Sequence, residues 1–520
     1  MFRTIISGGL HGMDSYLVHV EVDASQGLPV FEIVGYQSGE VREARERIRV
    51  ALKNSGYKLP PIRITVNLTP ANIRKEGTAY DLPIAVGILA ALEFLPKTCA
   101  DNTLVLGELG LDGQVRAVRG VLPLVMEAKR NGCAVCMVPF DNYAEASCVD
   151  GIHIMGIKSL VAAIDFLKKS EGAKKECIHL QRKALAEIDN NPKGKSVSEG
   201  YDFSVLSGQE NIKRSAVIAA AGFHHLLFKG PPGCGKTLAA KCIPSILPPL
   251  SREESLEVSK LFSIAGLINS SEGLVSKRPF FNPHHTITKQ AMAGGGVIPK
   301  PGIISLSHRG VLFLDELPHF KNEVIEIMRQ PLEEKEINIV RTSGTYRYPA
   351  SFLLVAAMNP CPCGFFPDRN RCNCTAWEIK RYLAGISGPI MDRIDLSVNV
   401  NAVRYEDISG DNSVKGECSS SMLNKVFMAR HRQQERYKGT DIRYNGELSG
   451  NGIKKYITLE RSVNRLMKEL FENSHLSARS YAKVLKVART IADIEDRDNV
   501  AEEDVLEACT YQQYINEQAE

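Results

Sequence analysis

One octapeptide constrains this chain more than any other feature: Gly230-Pro231-Pro232-Gly233-Cys234-Gly235-Lys236-Thr237. It fits the pattern G-x-x-x-x-G-K-[S/T], follows the apolar run His225-Leu226-Leu227-Phe228 and opens a helix through Leu238 and Ala239. Glycines let the backbone wrap phosphate oxygens without a Cβ clash, so that N–H groups point inward at the anion. Lys236 then sets a cation on the β- and γ-phosphates of ATP, and Thr237 offers its hydroxyl to Mg²⁺. The alternative is a Gly-rich turn before a helix. Short apolar runs of this kind suit a parallel sheet covered on both faces, which predicts an α/β fold.

Two further runs extend the site. Val311-Leu312-Phe313-Leu314-Asp315-Glu316 reads as a buried strand ending in two acids. Asp315 is placed to hold Mg²⁺, directly or through water, and Glu316 to polarise the attacking water. Adjacent carboxylates at a buried strand end are costly without a cation; otherwise they mark a solvated turn. The run 352–357 leads to Met358-Asn359, where the Asn359 amide could orient that water or touch the γ-phosphate. Asn also starts turns, and Pro360 follows it. A P-loop, an acid pair and an Asn at the next strand tip, in this order, resemble an AAA+ module. Transition-state charge calls for an arginine, often supplied in trans. Arg393, in Gly388-Pro389-Ile390-Met391-Asp392-Arg393-Ile394-Asp395-Leu396, is the candidate finger, and Arg479 the candidate sensor of a helical lid. A surface salt bridge is the alternative for each.

A chain of 520 residues holds two to four domains. Residues 1–167 alternate strand-like runs (16–22, 63–68) with helical ones (41–52, 81–95, 120–130, 159–167) and form one α/β block. Residues 168–200 read as a linker and 201–400 as the ATPase block. Residues 401–520 comprise a polar hinge to 418 and a helical lid. Hydrophobic residues at 44% and charged residues at 24% exclude global disorder. The longest apolar stretch, 82–95, contains Glu93 and is too short for a bilayer, so no membrane partner is expected. Without a basic n-region and cleavage site, a cytoplasmic protein is expected. Thirteen cysteines in such a chain are no disulfide scaffold. A net charge of +4 permits nucleic-acid binding without arguing for it.

His308-Arg309-Gly310-Val311-Leu312-Phe313-Leu314-Asp315-Glu316-Leu317-Pro318, Phe281-Asn282-Pro283-His284-His285 and Asn359-Pro360-Cys361-Pro362-Cys363-Gly364 resemble the magnesium-chelatase-like AAA+ proteins. Within that group the whole chain resembles the YifB/ComM family of bacterial competence-type ATPases. The resemblance implies an N-terminal Lon-like, ribosomal S5 domain 2-like domain ahead of the AAA+ core. It also implies a homo-hexameric ring that moves on single-stranded or branched DNA and promotes branch migration in homologous recombination, with ATP and Mg²⁺ as cofactors.

The remaining motifs divide between DNA, metal and a lost activity. The Gly/Pro-rich stretch 291–302 suits a mobile loop presenting Lys300. Residues 337–348 alternate around Ser343-Gly344 as a hairpin, whose Arg341, Tyr346, Arg347 and Tyr348 could contact phosphates and stack on bases. An ordinary decorated hairpin is the alternative. Cys361, Cys363, Cys372 and Cys374 make two close pairs that would suit a tetrahedral Zn²⁺ knuckle, or else a reduced thiol loop. Lys75-Glu76-Gly77-Thr78-Ala79 resembles the segment carrying the nucleophilic Ser of Lon-type peptidases, yet Ala79 occupies the Ser position and Leu122 that of the partner Lys. Acyl chemistry needs both groups, so that block is read as catalytically dead. A DNA motor, a chelatase motor subunit and a nucleotide-switched scaffold remain as rival functions.

Overall fold

The computed structural model describes residues 1–35, 38–189, 201–269, 273–342, 344–402, 417–473 and 477–516. Most of the expected hinge, and the expected linker beyond residue 189, lie outside the described residues.

Seven strands form the N-terminal sheet, in the order Val30–Val34, Arg63–Thr69, Asp14–Ser25, Phe2–His11, Thr103–Val105, Val135–Pro139, His153–Ile157. Val18, Val20 and Val22 alternate onto one face and are fully buried. They lie in one core with the helix Asp81–Ala91, every residue of which is buried, as an apolar-all-round sequence requires. The expected linker is helical from Glu171 to Asp189. It belongs to this domain: Ile178 enters the core, Gln181 exchanges two hydrogen bonds with the Gly156 backbone, and Lys174 donates to the Cys99 carbonyl. Docking is largely polar here, which is why apolar periodicity did not reveal it.

The second domain is built on a five-stranded, all-parallel sheet in the order Phe280–Phe281, Val311–Leu314, Leu353–Met358, Leu226–Lys229, Leu396–Asn399. The central strands are buried on both faces, and alternate residues serve two cores. Leu226, Phe228, Phe313, Val355 and Ala357 pack with the C-terminal helices, whereas Leu227, Leu312, Leu314, Leu354 and Ala356 pack toward the hairpin. Because Lys229 pairs with Met358 and Leu314 with Ala356, the carboxyl ends of these three strands lie side by side. Ligands of open α/β sheets bind at such an edge.

Helices Ser419–Arg436, Arg461–Asn473, Ala478–Ile494 and Glu502–Asn516 complete the fold. Buried Arg430 and Gln433 hold this lid to the core through the carbonyls of Ala220 and Ala221. At the other side, the Gly120 N–H donates to Ser263 O, and Ser263 Oγ donates to buried Glu145, which joins the N-terminal domain to the helix Arg252–Ala265. The chain is thus an α/β protein with a parallel-sheet core, a C-terminal helical region and a preceding mixed-sheet domain. No helix among the described residues is long and apolar enough to cross a membrane.

Candidate nucleotide-binding site

The octapeptide links the strand Leu226–Lys229 to the helix Lys236–Ile246. Gly233 and Gly235 take φ values of 79° and 92°, which a Cβ would strain. Lys236 is buried, and its ammonium donates to the carbonyls of Gly230 and Pro231, both at 2.7 Å, and to Asn359 Oδ1 at 3.1 Å. The ammonium is thus held by three oxygens of the loop and the neighbouring strand tip. Thr237 Oγ1 donates to Asp315 Oδ2 at 2.7 Å. A hydroxyl and a carboxylate side by side are the hard oxygen donors that Mg²⁺ favours, and the inward ammonium suits a polyphosphate, so these residues fit Mg-ATP.

Glu316 is exposed and in the left-handed region at φ 52°, so its carboxylate projects from the strand tip. His285 Nδ1 lies 3.8 Å from Glu316 Oε2, with its ring 4.1 Å from that of His284 and 6.0 Å from that of His319. Tyr382 closes this side: it meets His319 edge-on at 5.7 Å, its hydroxyl lies against the Asn359 backbone amide, and burial pushes that hydroxyl up to about 12. The sequence reading gave no role to His285, His319 or Tyr382. The paired His284-His285 was the available signal, but nothing in its spacing tied it to Glu316, a strand away.

The fold gathers Arg393 and Arg479 away from the P-loop residues named above, at Glu333. Both pair with Glu333, at 3.0 Å for Arg479, which also lies 3.4 Å from Asp392. Four residues after Arg479, Lys483 donates to Ile394 O at 2.8 Å and Met391 O at 3.4 Å, on either side of Arg393. Burial pulls the Lys483 ammonium down to about 8. Asp395 takes the His225 N–H at 3.3 Å and faces His224 and Lys486. Burial would raise its carboxyl pKa, yet Lys486 and the two histidines hold it well below the usual range. The segment 391–395 is therefore clamped between the P-loop strand and the lid helix.

The hairpin Glu336–Arg341 with Gly344–Pro349 forms as expected, but its tyrosines are not available for bases. Tyr346 is 5% exposed and Tyr348 0%; both pack with Ile337 and Ile339, and Tyr348 donates its hydroxyl to Pro299 O. Residues two apart on a strand share a face, so Tyr346 and Tyr348 go inward together and Arg347 goes out. Arg341 and Arg347 are exposed. The Gly/Pro stretch is partly ordered: Gly294 and Gly295 pair with Pro301 and Lys300, and Met292 is buried. Lys300 is exposed and lines a cavity shared with Glu76, Ala79 and Tyr80 of the N-terminal domain. There Leu122 is buried in a helix, and the Lys75 amine is engaged by the carbonyls of Pro70 and Ile73. The sulfurs of Cys361, Cys363, Cys372 and Cys374 all lie within 4.8 Å of one another, a set compatible with zinc.

Three family models match in succession: "Subunit ChlI of Mg-chelatase" over residues 20–142, "Magnesium chelatase, subunit ChlI" over 202–408 and "Magnesium chelatase, subunit ChlI C-terminal" over 416–512. The protein YifB of Salmonella typhimurium is 40% identical over 502 residues, 96% of this chain and 95% of that one. Competence protein ComM of Haemophilus influenzae is 37% identical over 506 residues, 97% of this chain and 96% of that one. Lon protease 2 of Bacillus subtilis is 27% identical over 180 residues, 32% of each chain.

Proposed function

The chain belongs to the YifB/ComM family of magnesium-chelatase-like AAA+ proteins, and from that premise we propose that it is a cytoplasmic, Mg²⁺-dependent ATP hydrolase. In this reading it assembles as a homo-hexameric ring and drives single-stranded or branched DNA through its centre, promoting branch migration in recombination or natural transformation. The observation that carries the ATPase is the hydrogen-bonded set Lys236–Asn359 and Thr237–Asp315 at adjoining tips of one parallel sheet.

In this reading the P-loop amides and Lys236 bind the phosphates, while Thr237 and Asp315 would hold the metal, which would offset phosphate charge. Glu316 accepts the proton of the attacking water, Asn359 orients that water, and His285 and Tyr382 fix the acid and the amide. Arg393 and Arg479 gather on Glu333 at the surface beside the lid, and in this reading they serve a neighbouring subunit's nucleotide. The competence protein's similarity over nearly its full length supports the DNA reading, and exposed Arg341, Arg347 and Lys300 supply the cations.

All three matching models are named for a chelatase subunit, which supports a second reading as a chelatase motor. A synthetic four-way junction assayed with and without ATP, alongside DNA stimulation of hydrolysis, separates the two. ATP-dependent junction movement is expected. Hydrolysis indifferent to DNA, with a static junction, overturns the motor.

A further inference from the structure

The four cysteines after Asn359 were not needed for the nucleotide site, yet their placement is specific. They are the only gathering of three or more metal-binding side chains among the described residues. Cys361 and Cys372 are buried, Cys374 is half-buried and Cys363 exposed, and none is in a disulfide. Cys361 Sγ lies 3.3 Å from Cys363 Sγ and 3.8 Å from Cys372 Sγ. A tetrahedral zinc tetrathiolate with Zn–S near 2.3 Å has sulfur–sulfur edges of about 3.8 Å, so the spacing matches the ion's coordination shell. The Phe366 N–H also points at Cys361 Sγ, at 3.4 Å, as amides do toward metal-bound thiolates. Two arginines brace the loop itself: Arg369 donates to Cys374 O at 3.0 Å, and Arg371 lies 4.0 Å above the Phe365 ring.

The loop abuts the nucleotide site directly. Gly364, at φ 87°, leaves no room for a side chain: a Cβ there would sit 2.6 Å from Pro232 Cδ in the P-loop and 3.7 Å from Asn359 Cγ. Cys361 is two residues from Asn359, while Cys374 precedes the helix Ala376–Leu383 that delivers Tyr382 back to the Asn359 amide. We infer that Cys361, Cys363, Cys372 and Cys374 bind one zinc ion, and that this ion holds Asn359 and the tip of the P-loop in the geometry that receives nucleotide. The metal site stands on its own ligands; its coupling to nucleotide rests on the ATPase reading above.

The test uses the full-length chain. Metal analysis of the purified protein is expected to find about one zinc per chain, and Co²⁺ exchanged for it to give the intense thiolate charge-transfer absorption of a tetrahedral site. Cys361→Ser and Cys372→Ser are expected to lose the metal, whereas Cys133→Ser keeps it. Chelator-stripped protein, checked by circular dichroism for retained fold, is expected to bind a fluorescent ATP analogue at least about tenfold more weakly, with recovery on adding zinc. Because stripping and reloading use the native sequence, misfolding of a Cys variant does not decide the result. A chain without zinc that takes up no Co²⁺ overturns the site. Equal nucleotide affinity with and without zinc overturns the coupling. A zinc-loaded chain that binds no nucleotide overturns both the coupling and the ATPase reading.

Discussion

At the scale of single residues, the site separates binding from chemistry. Lys236, Thr237 and Asp315 are bonded to their neighbours, whereas the exposed Glu316 carboxylate projects with His285 3.8 Å away. Glu316→Gln is therefore expected to bind ATP with near wild-type affinity and to lower turnover by about 10²–10⁴-fold, the usual span for a lost general base. Hydrolysis at the wild-type rate in a steady-state assay excludes Glu316 as the base. Lys483 carries a prediction of a different kind. Its pKa falls from 10.5 to about 8 in the fold. Between those values the unfolded chain binds the proton and the folded chain does not, so stability rises with pH across that window and is level below it. The rise amounts to about 3 kcal/mol over the full window. Lys483→Met should abolish it, which urea midpoints at about pH 7.5 and about pH 10 will read.

At the scale of elements, the hairpin shows what a sequence discloses and what it hides. Its alternation was legible, and so was its turn at Gly344, but the facing of its residues depends on which side meets the core. The strands Leu226–Lys229, Val311–Leu314 and Leu353–Met358 were legible because parallel strands buried on both faces are continuous apolar runs. The P-loop, Asp315, Glu316 and Asn359 were legible because each lies at the end of such a run. His285, His319 and Tyr382 were not, since they come from three separate segments that only the folded chain brings together. The helix Glu171–Asp189 was hidden for the reason its docking shows: Lys174 and Gln181 attach it by polar bonds. With the tyrosines inward, the outward arginines remain. Arg341→Ala is expected to weaken DNA binding and reduce the salt slope by about one ion, leaving ATPase without DNA unchanged. An unchanged slope in titrations at several salt concentrations removes the hairpin from the DNA path.

At the scale of the whole molecule, the pairing of Arg393 and Arg479 with one exposed carboxylate matters most. In a lone chain Glu333 pairs with both cations, so in the proposed ring a neighbouring subunit's phosphate would compete with it. The exposed Arg479–Glu333 pair is worth up to about 1 kcal/mol, whereas the Arg393 side chain is largely buried. Glu333→Gln should accordingly favour ATP-dependent assembly about fivefold, read as a fall in the concentration at which light scattering detects the oligomer. If the concentration dependence is unaltered, the arginines do not serve a neighbour.

The N-terminal domain touches the hairpin through the turn that follows its first strand: the His11 ring lies 4.4 Å from that of Tyr346, close to Gly344. His11 ends a strand at the centre of the seven-stranded sheet. A force applied to the Gly344 turn therefore has ballast behind it. A swing of that turn would slide Tyr346 over the imidazole or carry the strand Phe2–His11 with it.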